Sequence, residues 1–255
     1  MGTIIAIVNQ KGGVGKTTTT VNLSAAMGAR GKKTLLLDID PQGNSTSGVG
    51  INRKGIQASS YEIIIGRARA EDGIIHTAFE NLDIVASSID LAGAEIEIID
   101  LPHRESRLKE AFALIRDQYD YIFVDCPPSL GLITTNALCM CDTILVPIQC
   151  EYYALEGLSQ LMNTVRRVKR QYNPHLQIEG VLLTMYDGRL NLTQQVVAEV
   201  KKYFPQKVFG TAIPRSVRLS EAPSFGKPIL YFDKNCKGSI AYSELAKEID
   251  LNHAR

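Results

Sequence analysis

The sequence predicts an α/β fold with one doubly wound, mostly parallel sheet flanked by helices. Short apolar runs alternate with helical patterns along the 255 residues, and the runs are continuously apolar, as in strands buried on both faces. No linker rich in proline, glycine or serine divides the chain, so we expect a single domain over 1–255. The predicted strands are 4–8, 33–40, 82–88, 121–125, 143–149, 178–185 and 208–214. The predicted helices are 18–31, 105–118, 130–140, 155–172, 193–204 and 239–249, with short helices over 53–77.

Composition limits the possible classes. No apolar run approaches the ~20 residues of a membrane span, so we expect no membrane association. Five cysteines without a C-x-x-C pair predict reduced, mostly buried thiols. The net charge of +1 hides an asymmetry, because residues 1–150 hold 13 basic and 17 acidic residues, whereas 151–255 hold 15 and 10. A C-terminal half of charge +5 suits contact with nucleic acid, although a solvated surface is the alternative.

A glycine-rich turn lies between the first predicted strand and the first predicted helix. Its glycines let several backbone N–H groups converge on one anion, and the helix adds the positive end of its dipole. This context predicts a phosphate-binding loop in which Lys16 reaches the β- and γ-phosphates and the Thr17 hydroxyl ligates Mg²⁺. The candidate nucleotide-binding residues of the loop are Lys11, Gly12, Gly13, Val14, Gly15, Lys16, Thr17 and Thr18.

Two further loops that follow predicted strands carry carboxylates, at the edge where such sheets bind ligands. Asp38 and Asp40 lie in D-I-D-P-Q-G-N after the second strand. A carboxylate there is suited to orienting an attacking water or helping to hold Mg²⁺, and a simple turn aspartate is the alternative. Asp125 ends the apolar run Y-I-F-V-D, the Walker B pattern, and is predicted to hold Mg²⁺ through a water.

Several motifs resemble those of one ATPase family. The turn K-G-G-V-G-K-T-T resembles the deviant Walker A motif of the ParA, MinD and nitrogenase-iron-protein group, with Gln10 where the ordinary motif has its first glycine. The segment D-I-D-P-Q-G-N resembles the ParA switch I region, and residues 127–131 (P-P-S-L-G) resemble switch II. Residues 150–157 (C-E-Y-Y-A-L-E-G) and 219–223 (L-S-E-A-P) match the Soj-type subgroup. Because these motifs extend over essentially the whole chain, it is identified as a member of the Soj-like ParA family of P-loop ATPases. This resemblance implies that it has no N-terminal DNA-binding extension.

The resemblance implies ATP and Mg²⁺ as cofactors and catalytic roles for Lys11, Lys16 and Asp40. In this family ATP drives two subunits into a face-to-face homodimer. Lys11 would then contact the partner's nucleotide, in the role of an arginine finger, while Asp40 would activate water and Asp38 support the loop. The ATP-bound dimer binds double-stranded DNA without sequence preference, and a ParB-type centromere-binding protein stimulates hydrolysis. We therefore expect a cytoplasmic protein associated with the nucleoid.

Two later segments resemble those that flank the adenine in this family. They are L-L-T-M-Y-D-G-R (182–189) and I-P-R-S-V-R-L (213–219), which make Met185, Pro214 and Ser216 the candidate base contacts. The family usually has Asn at the position of Ser216, whereas Pro214 would pack on the ring. Ordinary strand-end loops are the alternative for each of these residues.

The DNA surface is expected in the basic C-terminal half, where it would contact phosphates only. Arg189 and Arg218 are the first candidates, since both follow predicted strands. The weaker candidates, for which a plain surface lysine is the alternative, are Lys201, Lys202, Lys227, Lys234 and Lys237.

Four other functions share the predicted fold, and one of them, a small-molecule P-loop kinase, would require a lid with arginines that the sequence does not identify. A MinD-like membrane ATPase requires a C-terminal amphipathic helix, and the end L-A-K-E-I-D-L-N-H-A-R offers little apolar surface after Leu251. An iron protein of the nitrogenase type requires cysteines that hold a cluster, for which Cys126 has no evident second ligand. A nucleotide-switch scaffold differs only in lacking turnover.

Overall fold

The computed structural model describes residues 1–151 and 158–253. Seven strands form one sheet in the order β3-β4-β2-β5-β1-β6-β7, and all neighbouring strands are parallel except β3 and β4. The doubly wound, mostly parallel sheet predicted from the sequence is therefore confirmed. The strands are β1 (Thr3–Ile7), β2 (Thr34–Asp38), β3 (Ile74–His76), β4 (Leu82–Val85), β5 (Tyr121–Asp125), β6 (Thr143–Gln149) and β7 (Gln177–Thr184).

Helices cover both faces of the sheet because the strands are apolar on both sides. In β1, Ile4 and Ala6 face one cluster of buried side chains, whereas Ile5 and Ile7 face another. The first cluster receives α4 to α8, and the second packs against α1 and α11. The longer helices are α1 (Lys16–Ala29), α4 (Leu91–Ile98), α6 (Leu132–Met140), α7 (Leu158–Gln171), α8 (Asn191–Tyr203) and α11 (Lys237–His253). The shorter ones are α2 (Asn44–Gly48), α3 (Ser60–Ile65), α5 (Arg107–Ala111), α9 (Val217–Glu221) and α10 (Ile229–Phe232).

The predicted strand at 208–214 is wrong. Only two isolated bridges form there, Val181 with Val208 and Tyr186 with Pro214. The Glu248 carboxylate of α11 accepts hydrogen bonds from two intervening backbone N–H groups, those of residues 210 and 211, at 2.7 and 3.0 Å. These groups are therefore not available to continue a ladder with β7.

Two other segments differ from the predicted pattern. The helix predicted over 105–118 is shorter, since α5 ends at Ala111 and a 3₁₀ turn occupies 116–118. The spacing of apolar residues in this segment still predicts the buried side chains Leu108, Phe112 and Ile115. An α-helical turn and a 3₁₀ turn both bring residues three or four positions apart to one face. Within 53–77, predicted as short helices, the chain forms α3 and also the antiparallel strand β3.

Candidate nucleotide site

Three loops meet at the carboxyl edge of the central strands. They follow β1, β2 and β5, and the parallel register places Ile7 beside Asp125 and Asp125 beside Asp38. The glycine-rich turn and the two predicted acidic loops therefore share one edge of the sheet, where doubly wound folds bind their ligands.

The glycine-rich turn holds its backbone in a conformation that needs glycine. Gly13 and Gly15 have φ of 73° and 88°, in the left-handed region. The Thr184 hydroxyl at the end of β7 donates to the Val14 carbonyl at 2.9 Å, which ties the turn to the sheet. Lys16 is only 7% exposed, and its Nζ donates to the Lys11 carbonyl at 3.0 Å. The turn thus carries a buried ammonium group at the start of α1.

Asp125 and Asp38 are fully buried on adjacent strands. Asp125 accepts hydrogen bonds from the Ser45 hydroxyl at 2.7 Å and from the Thr20 hydroxyl at 3.1 Å. Asp38 accepts them from the Thr46 backbone N–H at 2.8 Å and the Thr46 hydroxyl at 2.7 Å. Burial raises the pKa of both carboxyl groups, and the charge of Asp125 raises that of Asp38 further.

Lys16 is the cation of this acidic site. Burial lowers the pKa of its ammonium group, while the nearby Asp125 and Asp40 carboxylates oppose that change. The site is therefore a buried pair of carboxylates beside one lysine, a charge arrangement that an added divalent cation would neutralise.

The donor set at Asp125 fits Mg²⁺. Its carboxylate is surrounded by hydroxyl groups, and that of Thr17, on the first turn of α1, is close enough to lower the pKa of Asp125. Oxygen ligands of this kind suit Mg²⁺, which is usually held by one or two protein groups together with phosphate oxygens and waters. Residues 1–151 and 158–253 contain no cluster of three or more His, Cys, Asp or Glu suited to a metal.

The Asp40 loop is ordered by its own backbone. Asp40 Oδ1 accepts from the Gln42 N–H at 3.0 Å, and the Asp40 carbonyl accepts from the Gly43 N–H at 2.9 Å. Asp40 Oδ2 makes no hydrogen bond to the part of the chain that the structure describes. The aspartate therefore forms a turn, as one of the two sequence-based interpretations proposes, and its charge contributes to raising the pKa of Asp125.

A cavity of about 410 Å³ lies against the turn. It brings together the three predicted base contacts, Met185, Pro214 and Ser216, with Gly15 and Thr18. Met185 has a φ of 49°, uncommon for a residue other than glycine. The other lining residues belong to the segments 182–189, 213–219 and 219–223 quoted from the sequence, except for Tyr242; they are Thr184, Ile213, Arg215, Leu219, Ser220, Pro223 and Tyr242.

Known proteins resemble both the sequence and this arrangement. A family model described as an AAA domain matches residues 2–178. The sporulation initiation inhibitor protein Soj of Bacillus subtilis is 58% identical over 99% of this chain and 100% of its own length. The chromosome partitioning protein ParA of Myxococcus xanthus is 50% identical over 98% of this chain and 88% of its own. The chain belongs to the ParA family of P-loop ATPases.

A solved structure that resembles this chain contains the two kinds of ligand predicted as cofactors. The crystal structure of cobyrinic acid a,c-diamide synthase from Mycobacterium smegmatis with a bound ATP analogue and magnesium is 33% identical, with a TM-score of 0.90. The match covers 100% of this chain and 96% of that one. Its ligands are those that the glycine-rich turn and the Asp125 hydroxyl cluster of this ParA protein fit.

Arg53 is a residue of this ParA site that the sequence did not single out. Its guanidinium donates to the Gln42 carbonyl at 2.6 Å and to the Pro41 carbonyl at 3.0 Å, and so braces the loop that carries Asp40. We expect Arg53→Ala to lower ATP turnover about tenfold while ATP affinity stays within about twofold, because small misplacements of reacting groups are costly. Single-turnover kinetics and nucleotide titration measure the two effects separately.

Lys54→Ala is the matched control for Arg53→Ala. Lys54 follows Arg53 in the sequence and is exposed. Its only hydrogen bond in the described chain is donated by its backbone N–H to the Asn52 side-chain oxygen. Lys54→Ala should keep the parental turnover. Equal turnover in Arg53→Ala and the parent would remove the bracing role, as would an equal loss in both variants.

The candidate DNA-contacting arginines of this ParA protein are both engaged by acids. Arg189 is 88% exposed at its side chain and makes two hydrogen bonds to the Asp187 carboxylate, at 2.9 and 2.6 Å. Arg218 pairs with Glu221 and Asp233 at 3.0 and 2.9 Å. A phosphate at either arginine would have to compete with carboxylates already in place.

The five candidate lysines belong to three separate segments of the chain. Lys201 and Lys202 end α8, where Lys202 pairs with Glu199 at 2.9 Å. Lys227 lines a second cavity, of about 450 Å³, between α1 and α2. Lys234 and Lys237 are exposed around the start of α11. Lys234 directly follows Asp233, the acid that Arg218 contacts, whereas Lys201 and Lys202 belong to a different element.

Several other residues of the site also escaped the sequence analysis. Thr20 and Ser45 hold Asp125, and Thr46 holds Asp38. A signal for them exists, since Thr20 lies one helical turn after Lys16, and Ser45 and Thr46 directly follow D-P-Q-G-N. Part of the Soj-type segment 150–157 lies at residues 152–157, outside the described residues.

Two of the alternative functions, the iron protein and the membrane ATPase, can be compared with the structure. Cys126 is fully buried, and burial raises the pKa of its thiol, so it is not presented at a surface where subunits would share a cluster. Among the helices of the described residues, none has the length and apolar character needed to cross a membrane.

Proposed function

We propose that this ParA-family protein is a Mg-ATP-dependent, dimerising ATPase of chromosome or plasmid partitioning. Its ATP-bound dimer binds DNA without sequence preference, and a ParB-type partner stimulates its slow hydrolysis. The observation that carries the proposal is the meeting of Lys16, Asp125 and the Asp40 loop at one edge of the sheet. ATP and Mg²⁺ are the cofactors that fit this edge.

In the proposed mechanism the chain's own residues position the phosphates. Lys16 and the backbone N–H groups of residues 12–18 bind the β- and γ-phosphates, while Met185 and Pro214 enclose the base. Thr17 and, through a water, Asp125 would hold the metal, which would supply charge neutralisation at the phosphates. The free oxygen of Asp40 orients the attacking water.

Lys11 supports the dimeric part of the proposal. Its backbone holds the turn, since its N–H donates to Asn9 Oδ1 at 3.0 Å and its carbonyl accepts from Lys16. Its side chain makes no salt bridge within the described residues. A second cation so close to Lys16 is favourable only when additional negative charge arrives, and the nucleotide of a second subunit would bring it.

Gel filtration with ADP and with ATP, followed by DNA binding measured on each fraction, tests the proposal. We expect a monomer in ADP and a dimer in ATP, with two unrelated duplexes bound equally by the dimer and weakly by the monomer. A dimer that binds DNA without hydrolysing ATP would indicate the nucleotide-switch scaffold. Binding to anionic vesicles in place of DNA would indicate the MinD-like alternative.

The position of α11 supports DNA over a membrane. Its apolar side chains Tyr242, Leu245, Ala246 and Ile249 are buried against the sheet. A membrane-binding helix needs its apolar face free for lipid. The apolar face of α11 is instead used in folding.

A further inference from the structure

Helix α7 presents a basic surface that the nucleotide site does not use. Its buried positions are Leu158, Leu161, Val165 and Val168, which pack against the sheet. The opposite side carries four exposed cations within five residues, and α7 contains no acidic residue. We call this surface the α7 basic face, and its members are Arg166, Arg167, Lys169 and Arg170.

The cations of the α7 basic face have no acidic partner in the described chain, which they share with Lys201, Lys227, Lys234 and Lys237 but not with the other earlier candidates, and they alone lie as four cations within five residues. No salt bridge joins any of them to a carboxylate within residues 1–151 and 158–253. Arg166 donates only to the neutral amide oxygen of Asn163, at 3.0 Å. By contrast, Arg189, Arg218 and Lys202 are all paired with carboxylates.

Helix stability does not account for this arrangement. Lys169 and Arg170 lie in the last turn, where a cation interacts favourably with the helix dipole. Arg166 and Arg170, however, are four residues apart, so their like charges face each other and disfavour the helix. No acidic residue of the described chain offsets the repulsion between these two arginines, so the binding of an anionic ligand would lower it.

We propose that the α7 basic face binds the phosphate backbone of duplex DNA. This inference rests on the proposed function and names a surface for it. Exposed cations without acidic partners give up no ion pair when a phosphate arrives, and guanidinium groups match phosphate oxygens in a bidentate geometry. From residue 166 to residue 170 the helix rises about 6 Å, a length over which duplex DNA presents several negative charges.

Charge spacing favours DNA over an acidic protein segment. The four cations are spread around a wide arc of the helix circumference and do not form one narrow stripe, because successive helical residues are about 100° apart. A duplex, with phosphates on two strands, covers such an arc. The exposed Tyr203 of α8, which shares a cavity of about 230 Å³ with Arg166, adds a hydroxyl suited to a phosphate contact.

The α7 basic face is far from the nucleotide. Helix α7 runs back from the carboxyl edge of β6 to the amino end of β7, so its last turns lie near the opposite edge of the sheet. A seven-residue strand separates these edges by about 20 Å. Changes on this face should therefore leave ATP binding, dimerisation and basal hydrolysis intact.

The double variant Arg166→Gln with Arg170→Gln tests the inference in the full chain. Each phosphate contact contributes about −0.9 to the slope of log affinity against log salt, so at 0.15 M salt each lost contact weakens binding about fivefold. The ATP-bound dimer carries two copies of this face, so for each subunit whose face contacts the duplex we expect the double variant to bind roughly 30-fold more weakly at 0.15 M salt, with a slope flatter by about two. DNA affinity across a salt series measures both quantities, and gel filtration with ATP confirms the dimer.

The double variant Arg67→Gln with Arg69→Gln is the matched control. It removes the same charge from two exposed arginines near the β3 edge, where each is paired with a glutamate. DNA affinity of this control should stay within twofold of the parent. Equal losses in both double variants would overturn the assignment to α7, because they would reflect net charge alone.

Other outcomes separate this inference from the proposed function. Parental DNA affinity and salt slope in the Arg166/Arg170 variant would overturn the inference alone and leave the face to an acidic protein partner. A parent that binds no DNA with ATP would overturn the proposed DNA binding and the inference together. A parental dimer and ATPase rate beside weakened DNA binding supports both.

Discussion

Lys16→Ala is expected to abolish ATP-dependent dimerisation and to weaken ATP binding by roughly 10²-fold or more. The Lys16 ammonium group is nearly buried at the start of α1, where it can hydrogen-bond to two phosphates. Each charge-assisted hydrogen bond contributes about 1.5–3 kcal/mol, and 1.4 kcal/mol corresponds to a factor of ten in affinity. Calorimetric titration with ATP and gel filtration measure the two losses.

The Lys11→Ala variant distinguishes the role of Lys11 from that of Lys16. Lys11 is partly exposed and its structural contacts come from its backbone, so its truncation should preserve the turn. We expect the Lys11→Ala monomer to bind ATP with an affinity within about threefold of the parent, while dimerisation and turnover are lost. Near-parental ATP affinity in Lys16→Ala would instead contradict the assignment of the glycine-rich turn as the phosphate site.

Much of the fold was predictable because burial on both faces is visible in the sequence. The apolar runs at 121–125 and 143–149 match β5 and β6 to the residue, since every position of a central parallel strand is covered by helices. The run at 208–214 is also largely apolar but is not a strand. The N–H groups of residues 210 and 211 bind Glu248, which lies 38 and 37 residues later in the chain, and the local sequence does not predict so distant a contact.

The predictable parts of the candidate site are those whose functional groups all lie within one sequence motif. The glycine turn and Asp125 are of this kind, whereas the side-by-side burial of Asp38 and Asp125 depends on strand register. The acidic partners of Arg218 were likewise not predictable from the sequence. Asp233 lies 15 residues from Arg218 along the chain and contacts it only in the folded protein. The α7 basic face was readable as a charge cluster, but its lack of acidic partners was not.

Asp40→Asn is expected to reduce ATP turnover by roughly 10²-fold or more while ATP binding and dimerisation persist. The substitution keeps an oxygen that can accept from the Gln42 N–H, and therefore keeps the turn. It removes the charge and the basicity of the second oxygen, which makes no hydrogen bond to the described chain. Positioned proton acceptors contribute typically 10²–10⁴-fold, so the effect should fall on hydrolysis. Turnover and dimer lifetime are measured on the same preparation.

Gln42→Ala is the control for Asp40→Asn because it alters the same loop without touching a carboxylate. The Gln42 side chain is exposed, and the contacts of this residue to Asp40 and Arg53 are made by its backbone. We expect Gln42→Ala to keep turnover within about threefold of the parent. If Asp40→Asn hydrolyses ATP as fast as Gln42→Ala, the Asp40 carboxylate only shapes the turn, and the attacking water is oriented by another group at the same edge. If Asp40→Asn instead accumulates as a long-lived ATP dimer, loss of one charge has separated assembly from hydrolysis, as a water-positioning carboxylate requires.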